Sequence, residues 1–248
     1  MDTELFFYVA AGFLAQIVDG SLSMAYGLTA SSLLLTTGLP AATVSATVHT
    51  AECFTTGASA LSHRAFGNVD KVLFKKLVIP AVVGAVIGAY VLANLAVGML
   101  RPFIAIYLVV MGFIILYKVW QDFPSRRITS HIGPLGFFGA LIDAIGGGGW
   151  GPIVASNLAA RGNDIRTTVG TVIAVEFFVT IAASITFFLT MGLQHLDVVI
   201  ALAAGGVLAA PLGALIVKKV PIKPFMLFVG FFIISLGSYN FANAMGWL

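Results

Sequence analysis

The sequence predicts an all-α integral membrane protein of two inverted repeats, each a broken or re-entrant helix pair followed by three transmembrane helices. Of its 248 residues 59% are apolar and 9% charged, where soluble domains carry roughly 25% charged residues. The mean hydropathy is +1.03, and the apolar residues fall in successive blocks long enough to cross a bilayer. The chain also repeats itself at a shift of 124 residues.

Six blocks read as full spans: 43–62, 77–98, 102–120, 167–191, 198–217 and 224–247. Each is near the ~20 helical residues that cross about 30 Å of hydrocarbon. Two regions differ. Segments 5–18 and 22–39 are parted by Asp19-Gly20-Ser21, and 132–145 and 147–160 by Asp143 and the run Gly146 to Gly149. Such pieces suit broken or re-entrant helices. Asp2 and Glu4 precede the first block with no Lys or Arg, so no basic signal region is expected there. Cys53 is the single cysteine, which excludes a disulfide framework within the chain.

In the 124-residue register Gly12-Phe13 falls on Gly136-Phe137, Asp19 on Asp143, Gly27 on Gly151 and Glu52 on Glu176; fourteen of the forty-nine positions from Gly12 to Ala60 are identical. Further on the register drifts, bringing Gly88 onto Gly213 and Arg101-Pro102-Phe103 onto Lys223-Pro224-Phe225. The match implies two repeats, 1–124 and 125–248. Basic residues set the orientation. Arg64, Lys71, Lys75, Lys76, Lys118, Arg126, Arg127, Arg161, Arg166, Lys218, Lys219 and Lys223 lie in or beside loops on one face, leaving only Arg101 outside. By the positive-inside rule these loops are cytoplasmic and both termini external. A helix pair that enters and leaves on one side and two short full spans give the same parity. Basic residues confined to loops also exclude a nucleic-acid face.

Ionisable residues at membrane depth cost at least ~2.5–3.5 kcal/mol and are functional by default. Asp19 and Asp143 stand at the two breaks, where they either meet substrate or cap a freed helix end. Glu52 and Glu176 lie mid-span and are candidates for gating or for carrying a coupling proton. His49 precedes Glu52 by one helical turn and could share that task or bond a neighbouring helix; its counterpart is Ile173. The glycines expose backbone N–H groups beside the N-terminus of the next half-helix, an anion cradle that needs no buried base. Gly147, Gly148 and Gly149 are thus candidate substrate donors, with Asp143, Asp19, Gly20 and Ser21 completing the two tips; a simple tight bend is the alternative. The string matches G-x-G-x-x-G formally, but no strand precedes it, so no dinucleotide fold and no cofactor are expected. Gly84 and Gly88 form a G-x-x-x-G packing pair. Pro80, Pro102, Pro211 and Pro224 kink or start helices.

Gly12-Phe13 through Asp19-Gly20 with Gly27, the stretch from Thr47-Val48 to Glu52, and Gly146 to Pro152 together resemble the sulfite exporter TauE/SafE family of membrane permeases, over essentially the whole chain. The resemblance implies movement of a sulfur-containing anion, sulfite or an organosulfonate, across the bacterial plasma membrane. The first tip departs from the second: Ser21-Leu22-Ser23-Met24 stands where Ile145-Gly146-Gly147-Gly148 follows later. The expected function is secondary transport of such an anion, coupled to protons or another ion. The partners are the anion and the lipid bilayer, with small-residue helix faces fit for a homodimer. Four buried carboxylates keep a carrier of Na⁺ or a divalent metal open as the alternative. A transition-metal site is poorly served by His49 and Cys53, and no protein-held metal is expected. No H-E-x-x-H or G-x-S-x-G string points to an enzyme.

Overall fold

Backbone groups in hydrocarbon must be satisfied within their own segment, so a chain this apolar resolves into helices. The computed structural model describes residues 2–23, 26–94, 100–120, 130–160, 163–192, 195–216 and 222–247. These residues form ten helices and no strand: α1 (Asp2–Leu22), α2 (Tyr26–Thr36), α3 (Ala41–Ala65), α4 (Lys71–Asn94), α5 (Leu100–Lys118), α6 (Ile132–Gly146), α7 (Trp150–Ala160), α8 (Ile165–Met191), α9 (Leu196–Ile216) and α10 (Ile222–Ala244). Arg126, Arg127, Arg161, Lys218 and Lys219 of the basic loops lie outside the described residues.

Helices α1, α4, α8 and α9 each contain a stretch long and apolar enough to cross a membrane, which makes this an all-α, multi-pass membrane bundle. Phe6, Ile79, Leu189 and Leu208 on its outside are 69–76% exposed, apolar surface that lipid rather than water can cover.

Two elements differ from the expectation. The first break does not fall at Asp19-Gly20-Ser21: α1 runs through them to Leu22. Their polarity is absorbed without leaving the helix, because the Ser21 hydroxyl donates back to the Val18 carbonyl at 2.9 Å. At 21 residues α1 reaches roughly 31 Å, membrane length rather than half of it. Block 43–62 became α3, a long helix that is not among the four apolar ones. Its buried side chains include Thr43, Ser45, His49, Glu52, Thr56 and His63. A helix this polar is stable only where other helices cover it and supply partners.

The packing interlocks the two halves of the chain. Helix α1 lies mainly on α9 and α6 on α4, while α3 pairs with α8 and α5 with α10. Close approach depends on missing side chains: a Cβ on Gly84 would strike the Phe137 carbonyl, and one on Gly213 would lie 2.8 Å from Gly20 Cα. The G-x-x-x-G pair is therefore a backbone contact of α4 with α6, Gly88 meeting Leu141. Pro80 and Pro211 lie inside α4 and α9; Pro102 and Pro224 stand in the first turns of α5 and α10, where a missing N–H costs little. At the loop between α3 and α4, Arg166 bonds the Phe66 carbonyl at 2.7 Å and the Asn68 side chain, tying it to the start of α8.

Candidate functional site

Each broken pair turns on a residue in the left-handed region. Ser23 has φ 52° between α1 and α2, and Gly147 has φ 71° between α6 and α7. Gly148 and Gly149 follow at φ 150° and 130°, values that only glycine adopts without strain. The two turns touch: a Cβ on Gly27 would lie 2.8 Å from Gly148 Cα and 3.0 Å from Glu52 Oε1. The N-termini of α2 and α7 thus meet in the interior of the bundle.

The aspartates use one geometry in both places. Asp19 Oδ1 accepts the Tyr26 N–H at 3.4 Å, and Asp143 Oδ1 accepts the Trp150 N–H at 2.8 Å. Both are 2–3% exposed. Each carboxylate reaches across its break to cap the next half-helix, where the helix dipole favours negative charge. The Asp19 carbonyl also takes the Ser23 N–H, and the Asp143 carbonyl takes those of Gly147 and Gly148.

Asp143 has a further partner. His49 Nε2 lies 3.2 Å from Asp143 Oδ2, while Nδ1 lies 2.8 Å from the Ser45 carbonyl. A carbonyl only accepts, so Nδ1 carries hydrogen, and the Nε2–Oδ2 contact then needs a proton of its own. The contact ties α3 to the last turn of α6.

Between the tips lies a cavity of about 10 Å³, room for roughly one water. Asp19, Glu52, Asp143 and Glu176 line it, with Tyr26, Gly27, Leu28, Gly149, Trp150, Gly151 and Pro152. Glu176 Oε2 is buried without a hydrogen-bond partner. No Lys or Arg is among the lining residues; Lys118, at the end of α5, bonds the Pro152 carbonyl at 3.2 Å. Among the described residues no three His, Cys, Asp or Glu side chains converge as metal ligands.

Of the residues singled out in the sequence, Asp19, Asp143, Glu52, Glu176 and Gly149 are brought together at the cavity, and His49 joins through Asp143. Gly147 and Gly148 form the turn behind it, their N–H groups already bonded to the Asp143 carbonyl. Gly20 packs on Gly213, with its carbonyl 2.9 Å from His63 Nε2, and the Ser21 hydroxyl turns to Val18. The N–H groups of Gly149 and Gly151 are taken up by none of these bonds. Sequence reasoning missed Tyr26 and Trp150, although the two aromatics occupy equivalent places in the 124-residue register. It also missed Ser31, Ser45 and Tyr107, whose hydroxyls donate to the Gly147, Ala144 and Gly148 carbonyls. Nothing local marks those three, because each acts on a distant segment.

Residues 8–240 match the family model described as sulfite exporter TauE/SafE. The chain is 38% identical to a protein of Bacillus subtilis (strain 168) named as the probable membrane transporter protein YtnM, over 97% of this chain and 83% of that one. No solved structure matches. The matched segment takes in both breaks, their aspartates and the paired glutamates, and the chain belongs to the sulfite exporter TauE/SafE family, a membrane transporter rather than an enzyme.

Proposed function

We propose that this chain is a secondary transporter of a small sulfur-containing anion, sulfite or an organosulfonate, across the bacterial plasma membrane, coupled to protons. The observation that carries the reading is the buried meeting of two half-helix N-termini at a cavity lined by four acids and no base. Oriented N–H groups can hold an oxyanion there without a lysine or arginine. Gly149 and Gly151 offer those N–H groups, and Gly147 and Gly148 shape the turn that presents them. Asp19 and Asp143 are already offset by the half-helices they cap.

Glu52 and Glu176 supply the coupling. A bound anion 4 Å from an ionised carboxylate is repelled by about 4 kcal/mol at an effective dielectric of about 20. Anion therefore loads when the glutamates carry protons. Exchanging α1–α5 for α6–α10 maps the α1–α9 contact onto α6–α4 and returns the α3–α8 and α5–α10 contacts to themselves. This supports two repeats, 1–124 and 125–248; an odd number of spans after each pair that enters and leaves on one side would set them in opposite orientation. Rocking one against the other would open the small cavity to each side in turn.

With the basic loops cytoplasmic, Gly67→Cys and Ser130→Cys, each at an exposed loop position in a Cys53→Ser background, should react with an impermeant thiol reagent only from the inside. Labelling from outside in intact cells would reverse the assignment. The four lining carboxylates also favour a cation, Na⁺ or a divalent metal, as the alternative cargo. Flux into proteoliposomes separates the two: saturable uptake of labelled sulfite or a sulfonate supports the anion, and Na⁺ or metal flux with no anion flux overturns it.

A further inference from the structure

The two tips are alike in their aspartate caps and unlike in how they are held. Three hydroxyls from the first half of the chain grip the carbonyls of the second break. Ser31 of α2 donates to Gly147, Tyr107 of α5 to Gly148 at 2.7 Å, and Ser45 of α3 to Ala144 at 2.7 Å. Ser31 and Ser45 are buried, and a Cβ on Gly149 would land on the Tyr107 hydroxyl. Peptide units are planar, so holding the Gly148 carbonyl fixes the plane that also carries the Gly149 N–H. The N–H groups left over, those of Gly149 and Gly151, belong to residues that line the cavity, where buried Glu176 Oε2 has no partner.

The first break is held differently: His63 of α3 donates from Nε2 to the Gly20 carbonyl, the counterpart of Ala144, at 2.9 Å. In the repeat registers the counterparts of Ser31, Ser45 and Tyr107 are Ala155, Val169 and Val229, none of which has a hydrogen to donate. Ser23 at that turn has a buried hydroxyl with no partner. Among the described residues, the grip by three hydroxyls is therefore a feature of the second break.

We infer that Ser31, Ser45 and Tyr107 are positioning residues that hold the α6–α7 turn as the substrate-recognising tip, so that anion selection resides in the second break rather than being shared. This rests on the anion reading for its consequence in transport, but not for the grip itself, so two readouts are needed. Hydrogen–deuterium exchange of segment 144–151 in the purified full chain needs no ligand. Tyr107→Phe and Ser31→Ala should each speed exchange there about tenfold, the effect of losing one buried hydrogen bond, with the turn at Ser23 unchanged. In proteoliposomes the same variants should raise the KM for sulfite about tenfold with kcat within about twofold, a split that general loosening would not give. Unchanged exchange in both variants overturns the grip whatever the flux. Faster exchange with unchanged KM, or KM and kcat failing together, overturns its role in recognition. If the wild-type protein carries no sulfite, the anion reading falls while exchange still decides the grip.

Discussion

Asp19 and Asp143 each stand three residues before the end of a helix and cap the helix that follows, so their roles at the tip are partly structural. Their surroundings separate them. Asp143 caps at 2.8 Å and holds His49, whereas Asp19 caps at 3.4 Å. Asp143→Ala is therefore expected to cost about 3 kcal/mol of stability, about 1 from the cap and about 2 from the charge-assisted bond. Asp143→Asn, which keeps a capping oxygen, should cost about 2, the part owed to the charge-assisted bond. Thermal unfolding in detergent compares them, and no loss in Asp143→Asn would mean that the histidine pair contributes nothing. At this scale the acids were legible because a carboxyl in an apolar run is costly and so conspicuous. The His49–Asp143 contact was not legible: it joins residues 94 apart in the chain, and the turn spacing pointed His49 towards Glu52 instead.

The broken pairs show how far local sequence can place an element's end. The second break was readable because four successive glycines, three of them at positive φ, can only be a turn. The first was placed early, since Asp19-Gly20-Ser21 looks like an interruption and is helix. The actual turn uses Ser23 at φ 52°, a conformation that serine does not advertise. Ser23→Gly should relieve that strain and stabilise the protein by about 1 kcal/mol, because the hydroxyl has no partner to lose. Gly148→Ala should do the reverse. Its Cβ would strike the backbone of Gly27 and Leu28, and strain plus overpacking come to about 3 kcal/mol or more. Gly67→Ala, also at positive φ but with nothing within 4 Å, isolates the strain alone at about 1 kcal/mol. Equal melting shifts for the two alanine variants would deny that the tips are in contact.

Across the whole molecule, hydropathy made the all-α membrane class legible, but not which helices touch. Nothing in an apolar block says that α1 will lie on α9 or α6 on α4, because helices in lipid associate by shape rather than by hydrophobicity. The glycines that allow those contacts read only as packing stripes. Once assembled, the interlocked halves bring Glu52 of α3 and Glu176 of α8 to one cavity, and the central claim is that these acids carry the proton that an anion needs. Uptake of labelled sulfite by proteoliposomes, with the outside made acidic, tests it most directly. The wild-type protein should accumulate sulfite under the gradient, and Glu52→Gln and Glu176→Gln should each lose that accumulation. Gradient-driven accumulation that survives in both variants, or sulfite uptake indifferent to the gradient, would contradict it.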